Sequence, residues 1–113
     1  MEGTTNESSL INKTMRELGK HGAVFRTNSG SVKLENGKPF RGLPPGFSDI
    51  MLIRPDGVAC FIEMKVKPNK PSDKQIAFIE KMLKHNCLAG VAYSVDEAME
   101  ICGLDNLDLE DYL

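Results

Sequence analysis

A chain of 113 residues that is 41% hydrophobic and 27% charged can bury one core and form a single domain without disulfide help. No stretch approaches the roughly 18 apolar residues of a membrane span, and the start, Met1 to Asn6, has neither the basic residues nor the apolar run of a secretory signal. Three widely spaced cysteines and two histidines, with no Cys-x-x-Cys pair, argue against a disulfide framework or a structural zinc site and predict a reducing, cytoplasmic setting.

The formal charge of −2 conceals an asymmetry, because seven of the 16 acidic residues lie in 96–113, where there is no Lys or Arg. Residues 1–95 therefore hold all 14 basic residues against nine acids, a net of +5. The reading is one domain over 1–113, with a core at about 5–103 and a solvating acidic tail at 104–113.

Leu10, Ile11, Thr14, Met15 and Leu18 recur at helical spacing and predict a first helix over about Thr5 to His21, with Thr4 or Asn6 as N-cap and Gly19 or Gly22 as stop. Ala23 to Asn28 reads as a strand, and a small hairpin follows around Asn36-Gly37 in an insertion, 29–45, expected to be mobile. Arg41-Gly42-Leu43-Pro44-Pro45-Gly46 is too rich in Pro and Gly for regular structure and forms a stiff lead into Asp49.

The next segment, Asp49 to Val66, is a hairpin around Arg54-Pro55-Asp56-Gly57. Pro second and Gly fourth suit a type I turn followed by a left-handed glycine, which pairs Arg54 with Val58. Stepping back along both strands brings Asp49 opposite Glu63, with Lys65 two residues further on the same face. After a Lys- and Pro-containing loop at Lys67 to Pro71, Ser72 with Gln75 three residues on forms a capping box. It opens a helix that ends near His85, with an apolar stripe of Ile76, Ile79, Met82 and Leu83. Gly90 to Ser94 reads as a buried strand, and Ser94-Val95-Asp96-Glu97 starts a last helix stopped by Gly103. The order α, β, β, β, α, β, α predicts an α/β fold with a mixed central sheet flanked by helices.

The hairpin carries the chemistry. Cys60, Ile62, Met64 and Val66 form one apolar face of its second strand, whereas Phe61, Glu63 and Lys65 occupy the other, where a central strand would ordinarily be apolar. Two carboxylates that close repel, and a divalent cation would relieve the conflict. Hard oxygen donors suit Mg²⁺, with Mn²⁺ as a substitute, and nothing calls for an organic cofactor. The competing reading of Glu63 as merely a salt-bridge partner of Lys65 is disfavoured, since strand neighbours two apart are expected to sit too far apart for an ideal pair. Lys65, Lys67, Lys70, Lys74, Lys81 and Lys84 follow closely, the footprint of a polyanionic partner, although Lys81 and Lys84 are equally explained as a solvated helix face. Lys67, Lys70 and Lys74, joined by Arg41, are the expected phosphate contacts.

Asp49 followed by Glu63-Met64-Lys65 on a central hairpin resembles the PD-(D/E)xK nuclease superfamily, whose restriction-endonuclease-like core is αβββαβ. The Gly46-Phe47-Ser48-Asp49 entry, the Lys- and Pro-rich loop and Gln75 on the next helix resemble, within it, the virus-type replication-repair nuclease (VRR-NUC) domain of the stand-alone phage and bacterial type, over about Thr5 to Ile101. Ser48 stands where the superfamily motif has Pro, which removes no ligand.

The resemblance implies a Mg²⁺-dependent, structure-selective endodeoxyribonuclease that acts on branched DNA, such as a Holliday junction, as a homodimer in DNA repair. It implies catalytic roles for Asp49, Glu63, Lys65 and Gln75, and metal binding by Asp49, Glu63 and the Met64 backbone carbonyl. Glu7 corresponds to an acid able to reach the metal, although Thr4-x-x-Glu7 also reads as a capping box. Gln75 likewise has capping as an alternative role. Two other functions stay open: a nuclease-fold DNA-binding or assembly module without turnover, and a nuclease of the same core acting as a restriction-like enzyme or on RNA.

Overall fold

A computed structural model describes residues 6–27, 31–33 and 35–104. Helix α1 (Glu7–Leu18) is capped by Asn6, whose side chain accepts a hydrogen bond from the Ser9 amide, and closes at Gly19. It is shorter at its C-terminal end than the predicted span, because the chain turns directly after Leu18 to enter β1 (Ala23–Arg26). Glu7 is thus the first helical residue and not the third, so the expected Thr4–Glu7 capping box does not form at that spacing; Thr4 lies outside the described residues. The small hairpin is present as β2 (Ser31–Lys33) paired antiparallel with β3 (Pro39–Arg41).

The main sheet has the order β1, β4, β5, β6, with β4 (Ile50–Ile53) and β5 (Ala59–Met64) at its centre and β6 (Leu88–Ala92) on the far edge. β1 and β4 are antiparallel, as are β4 and β5, and β6 runs parallel to β5 after the crossover through α2 (Asp73–Lys84). With α3 (Val95–Ile101) closing the chain, this is the α/β order expected, a mixed sheet with helices on both faces.

The turn chemistry of the hairpin is as read. Gly57 takes φ +87, and the Arg54 amide bonds the Val58 carbonyl at 3.0 Å. The resulting register pairs Ile50 with Ile62 and Leu52 with Cys60. Because side chains alternate along a strand, this register sends the even-numbered residues of both strands to one side. Ile50, Leu52, Cys60, Ile62 and Met64 are all fully buried there, packed with Leu10, Ile11 and Leu18 of α1 and Ala98 and Cys102 at α3. Each large aliphatic side chain buried in this layer contributes about 1.5–3 kcal/mol.

Helix α2 covers the other face, and only partly. None of its residues is fully buried. Of the predicted stripe, Ile79 and Met82 are half-buried, but Ile76 and Leu83 are 41% and 49% exposed. Contact comes instead from Phe78, which the predicted stripe leaves out: its ring lies 4.4 Å from that of Phe47 and 5.6 Å from that of Phe61. The helix is anchored by aromatic packing at its middle because the sheet beneath its first turn presents Glu63 and Lys65 where an apolar surface would be needed. The last strand begins two residues earlier than predicted, since Asn86 in the left-handed region turns the chain out of α2 and pairing with β5 starts at Leu88.

Candidate metal-dependent catalytic site

Asp49 sits where the chain enters β4. Its carbonyl accepts from the Thr27 amide at 2.9 Å, the Thr27 hydroxyl donates to the Ser48 carbonyl, and the buried Ser48 hydroxyl donates to the Ile50 carbonyl at 3.1 Å. These bonds tie the approach to the site to β1, and Ser48 and Thr27 are positioning residues whose small polar character alone carries no such signal. The Asp49 carboxylate crosses to β5 and accepts the Met64 amide hydrogen bond at 2.9 Å.

Glu63 is only 1% exposed. One carboxylate oxygen, Oε2, accepts a 2.8 Å bond from the Gln75 side-chain amide and lies 3.5 Å from the Lys65 ammonium. The pair that the strand spacing argued against is therefore made, at 3.5 Å, with the Lys65 amide fixed to the Ala92 carbonyl at 3.0 Å. The other oxygen, Oε1, is buried with no hydrogen-bond partner. Burial, reinforced by the adjacent Asp49 charge and only partly offset by Lys65, pushes the Glu63 carboxyl up to about 8.

Gln75 performs both of the roles open to it. Its side-chain oxygen accepts from the Ser72 amide at 2.8 Å while the Ser72 hydroxyl accepts from the Gln75 amide, which completes the capping box, and its amide group is the donor to Glu63. One residue thus fixes the start of α2 and orients a carboxylate of the site.

Lys67, Lys70 and Lys74, which follow the Glu63-Met64-Lys65 triplet in the chain, are exposed. The Lys67 ammonium lies 5.9 Å from the centre of the Tyr93 ring, and the Tyr93 hydroxyl donates to the Asn69 carbonyl at 2.9 Å, so Tyr93 pins the basic loop from β6. The sequence reading gave Tyr93 no role; a lone aromatic after a buried strand carries no such signal. Arg41 lies in β3, apart from the main sheet. Glu7 is half-buried at the start of α1. Among the described residues no three His, Cys, Asp or Glu side chains are grouped to hold a metal ion, so Glu7 does not join the two carboxylates in this structure. Cys60 and Cys102 are buried and Cys87 half-buried, all free, in line with their reading as ordinary core or surface residues.

The donor chemistry fits a hard divalent cation. Two adjacent carboxylates leave a buried Glu63 oxygen without a partner, and Mg²⁺ takes one or two protein carboxylates and keeps its remaining waters. An acid opposite an acid-x-Lys triplet on the central hairpin of a mixed sheet is the arrangement of a PD-(D/E)xK nuclease. The VRR-NUC domain model matches residues 12–96, three quarters of the chain, and the protein belongs to that family. A solved structure titled "VRR_NUC domain" aligns over 93% of this chain and 100% of its own, with a TM-score of 0.63 and 20% identity, a likeness of fold. No curated protein matched. Family membership implies nuclease activity on DNA, that is, phosphodiester hydrolysis, and nucleases of this superfamily typically use a divalent metal.

Proposed function

We propose that the protein is a Mg²⁺- or Mn²⁺-dependent endonuclease that cuts branched or otherwise structured DNA, including Holliday junctions. The observation that carries this reading is the half-buried Asp49 beside the buried Glu63, which has one orphaned oxygen and an ammonium 3.5 Å from the other. When bound, the cation would polarise the phosphoryl group and lower the pKa of a coordinated water.

The protein's own groups divide the remaining work. Asp49, Glu63 and the Met64 backbone carbonyl would hold the ion. Asp49 is oriented by the Met64 amide and Glu63 by Gln75, so neither carboxylate must reorganise on binding. Lys65 would orient the attacking water and, as an ammonium, screen charge that develops on the phosphate; only its neutral amine form would instead take up the water's proton. Lys67, Lys70, Lys74 and Arg41 would bind phosphates without reading sequence, giving an affinity that falls with salt. Two symmetric cuts across a four-way junction require two sites related by a two-fold axis, which a homodimer supplies.

Incubating the purified protein with four-way junctions, flaps, single strands, duplex DNA and RNA, each with and without Mg²⁺ or Mn²⁺, is expected to give metal-dependent cleavage of branched DNA that Asp49→Ala abolishes. If every substrate stays intact with either metal, the proposal is wrong. Preferential cleavage of plain duplex or RNA would transfer the activity to that substrate.

A further inference from the structure

The stiff loop ahead of Asp49 and one flank of α2 enclose a cleft of about 430 Å³, within the range of pockets that hold small organic groups. Pro44 and Pro45 line it from the loop, and Ala77, Phe78 and Met82 from the helix. Phe47, whose ring packs against that of Phe78, joins the two sides. The loop is seated tightly on the helix. Gly46 has φ +91, and a Cβ there would come within 2.6 Å of the Lys74 carbonyl oxygen, so only glycine permits this approach.

Two exposed lysines, Lys74 and Lys81, complete the lining. Seven residues apart, they lie on one side of α2 with their backbones about 10 Å apart along the axis, and Ala77 between them offers no bulk. A flat apolar and aromatic hollow set between two ammonium groups is complementary to a nucleotide: a base needs a surface to stack on, and the phosphates on either side of it need cations. In an intact duplex every base is held in the stack, so only an unpaired base can enter.

The cleft adjoins the carboxylates in the chain. Phe47 is two residues before Asp49, and Lys74 directly precedes Gln75, which bonds Glu63. We infer that this cleft receives a single unpaired nucleobase of the bound DNA, with Lys74 and Lys81 holding the flanking phosphates. The inference rests on the proposed action on DNA and deepens it: among branched substrates, those that expose an unpaired nucleotide beside the cut, as a flap does and a fully paired four-way junction does not, are favoured.

Binding can be measured by fluorescence anisotropy with no divalent cation, using the full chain and two labelled duplexes, one fully paired and one with a single unpaired thymidine. The wild type is expected to bind the second more tightly by at least about fivefold, the lower end of what one base stacked on an aromatic ring contributes. Ala77→Leu, at an exposed helical position, fills the hollow without changing charge and is expected to erase that preference while leaving affinity for the paired duplex unchanged. In the wild type, NMR titration with the unpaired-thymidine duplex should shift the Ala77 methyl resonance. Equal binding of the two duplexes by the wild type, a preference that survives Ala77→Leu, or an unmoved Ala77 methyl would each overturn the inference. Separate cleavage assays with metal distinguish the failures: DNA cleavage without a preference for the unpaired base removes this inference alone, whereas no cleavage of any nucleic acid removes the nuclease proposal.

Discussion

The two faces of the central sheet are built from the same strands and solve opposite problems. On the side of α1 and α3, Ile50, Leu52, Cys60, Ile62 and Met64 are sealed from water. On the side of α2, the alternate positions of the same strands carry Asp49, Phe61, Glu63 and Lys65, and the covering helix leaves Ile76 and Leu83 in solvent. One face stabilises the domain so that the other can keep a buried acid whose carboxyl is held far above its ordinary range. A single residue of register shift would exchange the two sets and destroy both.

The sharpest way to break this comparison is to truncate one aliphatic side chain on each side. Ile62→Ala is expected to cost about 2–5 kcal/mol in chemical denaturation, because it opens a void in a fully packed layer, whereas Leu83→Ala should change monomer stability by less than about 0.5 kcal/mol. A loss at Leu83 comparable to that at Ile62 would mean that a second molecule covers this face in solution.

A smaller effect separates the faces by pH. The Glu63 carboxyl is raised from about 4.5 in the unfolded chain to about 8 in the metal-free fold, so the folded state holds a proton that the unfolded state releases within that window. The stabilising contribution is complete below about pH 4.5 and is lost as pH rises toward 8, at no more than about 1.4 kcal/mol per pH unit. Glu63→Gln should flatten this decline in metal-free thermal melts and leave the mutant more stable than the wild type at pH 8, by on the order of 1–3 kcal/mol. The same linkage predicts that cation binding expels a proton below pH 8, which calorimetry in buffers of different ionisation enthalpy would detect. A wild type and mutant with parallel pH profiles would contradict the burial argument.

Gln75→Ala is expected to cost about 1 kcal/mol for the lost helix cap, together with a roughly 10- to 100-fold loss of cation affinity because Glu63 loses its orienting donor. Stability loss without an affinity change would reduce Gln75 to capping.

Much of this architecture was legible because it is local. Pro55 and Gly57 specify the hairpin turn, the turn specifies the register, and the register places Asp49 opposite Glu63; Ser72 and Gln75 likewise mark the start of α2 by their own hydrogen bonds. The α2 stripe was less legible, since periodicity indicates which side of a helix is apolar but not how much of that side a neighbour will cover. Phe78, Phe47 and Phe61 come from three distant segments, and nothing in their spacing announces that their rings meet.

The sequence by itself determined the alternation of the two strand faces, the order of the elements and the pairing that brings two acids together, because each follows from short-range geometry of turns, caps and strand period. Only the tertiary structure decided that Glu63 would be desolvated with an oxygen left unpartnered, that Gln75 would bond its other oxygen while keeping the helix cap, and that a glycine-seated loop would form a cleft against α2. Desolvation and enclosure depend on what distant segments bring against a residue, and no local pattern encodes that.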